Sequence, residues 1–96
     1  MIKHIVCFKL IDNSEENKQK AKEVLLSMRG KVPTAKSIEV GTDVLKSPRS
    51  YDVILQVSVD DLAALDEYQR DPYHVNLVKT HMHANAEKSV AIDYEV

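Results

Sequence analysis

Tyr68 and His74 stand on either side of an Asp71-Pro72 pair, six positions apart. An imidazole near its ordinary pKa accepts a proton at neutral pH, and a phenol donates a hydrogen bond to a carbonyl that gains negative charge. Together they suit proton transfer beside a carbonyl group. The same two residues also suit plain packing, because a tyrosine closing a helix and a histidine in a first turn fill and cap. A second couple, His4 and Asp93, lies near the two ends of the chain. If their strands pair antiparallel, the start of one meets the end of the other, and the carboxylate fixes the imidazole tautomer and raises its basicity. That contact reads equally as two buried polar groups satisfying each other at a sheet end. Tyr51 is a further polar candidate for the same spot, and Phe8 and Val53 are candidates for an apolar wall.

Other chemistries find little support. His81 and His83 are separated by about 200° around a helix, and His74 and His81 by about 10 Å of rise, so no metal site is expected from side chains. Cys7 falls mid-strand, where a thiol behaves as a small apolar group, and carries no redox assignment. With only Gly30 and Gly41 there is no Gly-rich phosphate loop, and no serine elbow is present. No cofactor is expected.

These groups need a scaffold. Ile2 to Leu10 alternates, with Ile2, His4, Val6, Phe8 and Leu10 on one side, which predicts a strand with an apolar face. Asp12, Asn13 and Ser14 offer N-cap oxygens, and Ala21, Val24, Leu25 and Met28 follow at helical spacing, predicting a helix to about Arg29 or Gly30. Ile38 to Val44 and Tyr51 to Val59 read as a hairpin joined by a turn containing Pro48. On this reading Val44, Val53 and Leu55 share the apolar face, with Asp52 on the opposite one. Asp60 or Asp61 caps a short helix with Leu62, Leu65 and Tyr68, and Asp71-Pro72 restarts it. The second piece places Val75, Val78 and Met82 on one side, and His74, Leu77, Val78 and His81 in one stripe. Ser89 to Val96 alternates as a closing strand.

The order β-α-β-β-α-β predicts a ferredoxin-like α+β fold over residues 1–96, a four-stranded antiparallel sheet with strand one in the centre and both helical segments on one face. The other face carries Ile5, Cys7, Ile54, Val90 and Ile92 among Lys3, Lys9, Asp52 and Gln56. That is too apolar for water and too polar for a sealed core, so a second sheet is the natural cover and a homodimer is expected. Ninety-six residues also make a small core that a partner subunit would supplement.

Fifteen acidic against thirteen basic residues give a net charge of -2 with no block of either sign, so neither nucleic acid nor an anionic membrane is an expected partner. The lone Cys7 and the absence of a leader-like opening suggest a cytoplasmic, reducing setting.

At this level of detail the chain resembles the stress-responsive α/β-barrel (Dabb) domain family of the dimeric α/β-barrel superfamily. The likeness rests on Lys3-His4-Ile5-Val6 with Phe8-Lys9, Gly41-Thr42-Asp43-Val44, Tyr51-Asp52, the run Tyr68-Gln69-Arg70-Asp71-Pro72-Tyr73-His74-Val75, and Ile92-Asp93-Tyr94. It implies a homodimer with a small cavity between the sheet and the helices of each subunit. By its likeness to a polyketide cyclase of the family, His74 would be the base, Tyr68 the hydrogen-bond donor to a carbonyl, and His4 a polar group of the pocket. The chain differs from that cyclase in having Val53 where it has a histidine, and Ala21, Val24, Leu25 and Met28 in place of an aromatic lining. Other members are stress proteins, some with a magnesium ion held by backbone carbonyls. The functions implied are binding of a small apolar or carbonyl-bearing ligand with cyclase- or lyase-type acid–base chemistry, a non-catalytic stress or carrier role, or cofactor-free oxygenation.

Overall fold

A computed structural model describes all residues, Met1 to Val96. The alternation at the start of the chain forms β1 (Ile2–Leu10). Ser14 caps α1 (Glu15–Leu26), its hydroxyl accepting from the Asn17 N–H at 3.2 Å. β2 (Ser37–Thr42) and β3 (Val53–Val59) follow, then α2 (Leu62–Arg70), capped by Asp61, whose carboxylate accepts from the Ala64 N–H at 2.8 Å. After the break come a π-helical turn (His74–Lys79) that runs into α3 (Thr80–Asn85), and β4 (Ala86–Glu95).

The strands form one antiparallel sheet in the order β2-β3-β1-β4, so β1 is central, between β3 and β4. This is the ferredoxin-like α+β arrangement that the element order predicts. The core lies between the sheet and the helices, with Leu25 and Met28 from the first helical segment, Val57 and Val59 from β3, and Tyr68 fully buried or nearly so.

Several boundaries differ from the sequence reading. α1 stops at Leu26 because the Met28 and Arg29 N–H groups bond to the carbonyls three residues back, Leu25 and Leu26, while the Ser27 hydroxyl donates to the Val24 carbonyl, and Gly30 then adopts φ +77°. Met28 still reaches the core from the turn that follows. β2 ends at Thr42, and Val44, expected on the covered face, is 89% exposed in a loop tightened by Lys46 at φ +57°.

β3 begins at Val53, because Asp52 is drawn inward. Its carboxylate accepts from the Leu10 N–H at 2.8 Å, where the β1–β4 register slips between Lys9 and Leu10. Asp52 is thus buried rather than on the open face, and Tyr51 lines a surface hollow with Cys7 and Ile54.

The open face of the sheet is as the alternation predicts for β4. Val90 pairs with Cys7, Ile92 with Ile5 and Tyr94 with Lys3, and all three β4 side chains are exposed. No helix is long and apolar enough to cross a membrane.

Candidate functional site

The site grows from the sheet register and the helix break. His4 and Asp93 are direct partners in the β1–β4 ladder, and the His4 Nδ1 is hydrogen-bonded to the Asp93 carboxylate. His4 is buried on the helix side, whereas the Asp93 side chain is about one-third exposed. A carboxylate on Nδ1 favours the tautomer with its proton there and leaves Nε2 for a ligand.

At the break, the Asp71 carboxylate accepts from the Tyr73 N–H at 2.9 Å and the His74 N–H at 3.4 Å, so it caps the restarted helix and fixes the backbone at His74. The turn from His74 to Lys79 then takes wider i→i+5 bonding, and the Thr80 hydroxyl donates to the Val75 carbonyl at 3.3 Å. Across this turn and α3, His74, Val78 and Met82, at intervals of four, face the core, while Val75 and Leu77 are turned out. The helical stripe expected from the sequence placed Val75 inward and Leu77 beside His74, and the wider turn is why neither holds.

Tyr68 closes α2 between the two imidazoles. Its ring centroid is 4.7 Å from that of His74 and 5.7 Å from that of His4. Its hydroxyl meets the Met28 Sδ at 3.7 Å. The three rings therefore form one cluster, edge-on at His4 and tilted at His74, that links β1, α2 and the π-helical turn.

A cavity of about 400 Å³ opens between the sheet and this last helical segment. The size suits a small metabolite. Val6, Phe8 and Leu55 form its sheet wall, Leu25, Val78 and Met82 its helical wall, and His4 and His74 lie on its floor. Val6 and Phe8 are only half-buried although mid-strand, because the cavity lies over them.

Burial is the main force lowering the His74 pKa. An interaction with the Gln69 backbone opposes it, Lys79 and His4 add to the lowering, and Asp71 acts against them. The ring is thus held neutral at neutral pH. Its Nδ1 is buried without a hydrogen-bond partner, a rare condition for a polar atom inside a protein. Burial pushes the Tyr68 phenol up, with Asp71 adding to the shift, so it stays protonated.

The residues singled out in the sequence divide. His4, His74 and Phe8 line the cavity, while Asp93 stands behind His4 and Tyr68 behind both imidazoles. Tyr68 is fully buried and its hydroxyl is engaged by Met28, so it supports the site without forming its wall. Val53 is buried in the core outside the cavity. Tyr51 is outside too, its ring lying under the ammonium groups of Lys9 and Lys88 at 5.9 and 5.8 Å.

Sequence reasoning missed Gln69, Lys79 and His83 as lining residues. Only the four-residue interval from Lys79 to His83, extending that of His74, Val78 and Met82, hinted at the last two. No three His, Cys, Asp or Glu side chains come together in a group able to hold a metal ion.

Comparisons with known proteins agree with this architecture. No protein of curated function matches the chain in sequence. A dimeric, ferredoxin-like protein of unknown function from Bacteroides fragilis is 29% identical with a TM-score of 0.81, the match covering 99% of this chain and 95% of that one. A Dabb family protein with a ferredoxin-like fold from Mesorhizobium loti is 25% identical with a TM-score of 0.75, covering 99% and 95%. A hydroxynitrile lyase from Passiflora edulis, at 15% identity, is similar in fold with a TM-score of 0.83, covering 99% and 92%. The stress responsive A/B barrel domain matches residues 2–96, so the chain belongs to the Dabb family.

Proposed function

We propose that this protein binds a small, mostly apolar metabolite bearing a carbonyl group and performs cofactor-independent proton transfer on it, of the enolisation, cyclisation or lyase type. One observation carries the reading: His74, a buried imidazole held neutral, lines a mostly apolar cavity together with His4. A neutral imidazole in such surroundings is poorly solvated and suited to taking a proton from the carbon beside a carbonyl.

As that proton moves to His74, the carbon–hydrogen electron pair shifts to the carbonyl oxygen. His4, oriented by Asp93, lines the same cavity and is the group available to that oxygen. Return of the proton completes an enolisation. Attack of the carbanion on a second carbonyl of the same ligand, with the proton on His74 passing to the alkoxide so formed, would give a cyclisation, and expulsion of a leaving group from the neighbouring carbon, which takes up that proton as it departs, would give a lyase reaction. Tyr68 keeps both imidazoles in place through its ring.

The hydroxynitrile lyase from Passiflora edulis is built on a similar fold, which supports lyase chemistry as one use of this architecture. The exposed Val90, Ile92 and Tyr94 of the open sheet face, together with dimeric relatives from Bacteroides fragilis and Thermobifida fusca, support a homodimer that joins two sheets into a barrel. The single free Cys7 suits a cytoplasmic setting.

Deuterium exchange at carbons next to the carbonyl of medium-chain ketones, followed by proton NMR in D₂O, tests the reading. The wild type should accelerate exchange and His74→Gln should abolish the acceleration while keeping its circular dichroism spectrum. Binding of ketones without any exchange would instead mark a non-catalytic carrier.

A further inference from the structure

The cavity's polar groups are sorted by depth. His4 and His74 are buried at the floor, whereas Lys79 and His83 are exposed at the mouth, four residues apart along one helical face. Between them lie Val78 and Met82 on the helix, and Val6 and Phe8 on the sheet. Neither Lys79 nor His83 takes part in an ion pair within the chain. Glu87 is the one carboxylate side chain of the lining, and the Lys88 ammonium is occupied over the Tyr51 ring. An uncommitted ammonium with an imidazole beside it, at the entrance of a cleft whose middle is walled by Val6, Phe8, Val78 and Met82, is a receptor for one anionic group.

Resting on the reading of this cavity as a ligand site, we infer that its ligand carries a carboxylate as well as a carbonyl, the carboxylate docking at Lys79 and His83 and the carbonyl end directed toward His4 and His74. A phosphate is a poorer fit. The lining has no arginine to fork around a dianion, and the chain has no Gly-rich loop to wrap it.

Docking at Lys79 also bears on the base. His74 faces His4 from β1, Tyr68 and Gln69 from α2, Asp71 at the cap, and Lys79 from its own turn. Among these, Lys79 and His4 disfavour a proton on His74. A carboxylate placed against Lys79 offsets the lysine's share, so the ligand strengthens the base that acts on it. By linkage, a higher His74 pKa with the acid bound means that the acid binds more tightly when His74 is protonated.

The test uses the intact protein with 4-oxoalkanoates of five to ten carbons and their methyl esters as probes, with binding measured by calorimetry and His74 followed by NMR titration. The acid should bind about tenfold tighter than its ester, with the preference shrinking as salt rises. Lys79→Gln, an exposed substitution that leaves the core intact, should lower acid affinity to that of the ester and leave the ester unchanged. The His74 midpoint should move up with the acid and not with the ester. Equal binding of acid and ester would overturn the carboxylate inference while leaving the cavity as a ligand site, and binding of neither would overturn both.

Discussion

The ring of Tyr68 lies 4.7 Å from that of His74, while its hydroxyl meets the sulfur of Met28 at 3.7 Å. Likeness to a cyclase of the family implied a phenol donating to a substrate carbonyl, but here the side chain is fully buried and absent from the cavity wall. What Tyr68 supplies is a ring against which two imidazoles are held.

Tyr68→Phe keeps that ring and loses only a weak O–H···S contact. It should destabilise the fold by less than about 1 kcal/mol and lower ketone exchange by less than about tenfold. Loss of a direct donor to the developing oxyanion would cost on the order of 10²-fold or more, and such a result would return the phenol to the chemistry. Tyr68→Ala should cost about 3–5 kcal/mol in urea unfolding, since it empties the centre of the cluster.

His74 titrates below the ordinary histidine range, chiefly through burial. Between its folded midpoint and the unfolded value of about 6.5, the unfolded chain binds more protons than the folded one, so stability rises with pH across that window. The contribution of a neutral His74 is complete above about pH 6.5 and is lost as the pH falls toward the folded midpoint. Urea midpoints measured from pH 7.5 to 5 should fall more steeply for the wild type than for His74→Gln. Parallel curves would mean that burial of the imidazole is not felt as a protonation cost.

Asp93 meets the cavity only through its hydrogen bond to His4. In Asp93→Asn the amide no longer draws the Nδ1 proton, and the imidazole should pass from one tautomer to a mixture, which nitrogen chemical shifts report directly. Exchange should drop, with ketone affinity changed less than the rate, because the variant alters orientation rather than cavity volume. An unchanged tautomer with an unchanged rate would reduce the His4–Asp93 contact to the pairing of two polar groups at a sheet end.

Much of this site is legible in the residues themselves. Alternation from Ile2 to Leu10 and again from Ser89 onward fixes two strands, and their antiparallel pairing brings His4 opposite Asp93. Asp71-Pro72 announces the break that lets Tyr68 and His74 meet from two helical pieces. The π-helical turn is not legible, because its wider winding follows from how His74, Val78 and Met82 fit the core rather than from local propensity. Regular helical spacing therefore misassigns Val75 and Leu77. Tyr51 is misplaced for a related reason: the demand of the Leu10 N–H for an acceptor draws Asp52 inward and reverses the alternation just before β3.

Ile92 sits at the centre of the open sheet face, opposite Ile5 on β1 and 60% exposed, with Val90 and Tyr94 on the same side of β4. If two sheets meet there about a twofold axis, any substitution is present twice at the interface. Ile92→Glu then brings two carboxylates into a contact that has lost two apolar side chains, and both effects oppose association. The residue points away from the core of its own chain, so the fold of each protomer should survive. Light scattering at micromolar concentration should show a dimer for the wild type and a monomer for Ile92→Glu, with little change in far-ultraviolet circular dichroism. Ketone binding should persist in that monomer, since the lining of the cavity lies on the opposite side of the sheet and comes from one chain. A wild-type monomer would leave Val90, Ile92 and Tyr94 in water and overturn the barrel, whereas loss of binding on dissociation would show that the partner shapes the cavity.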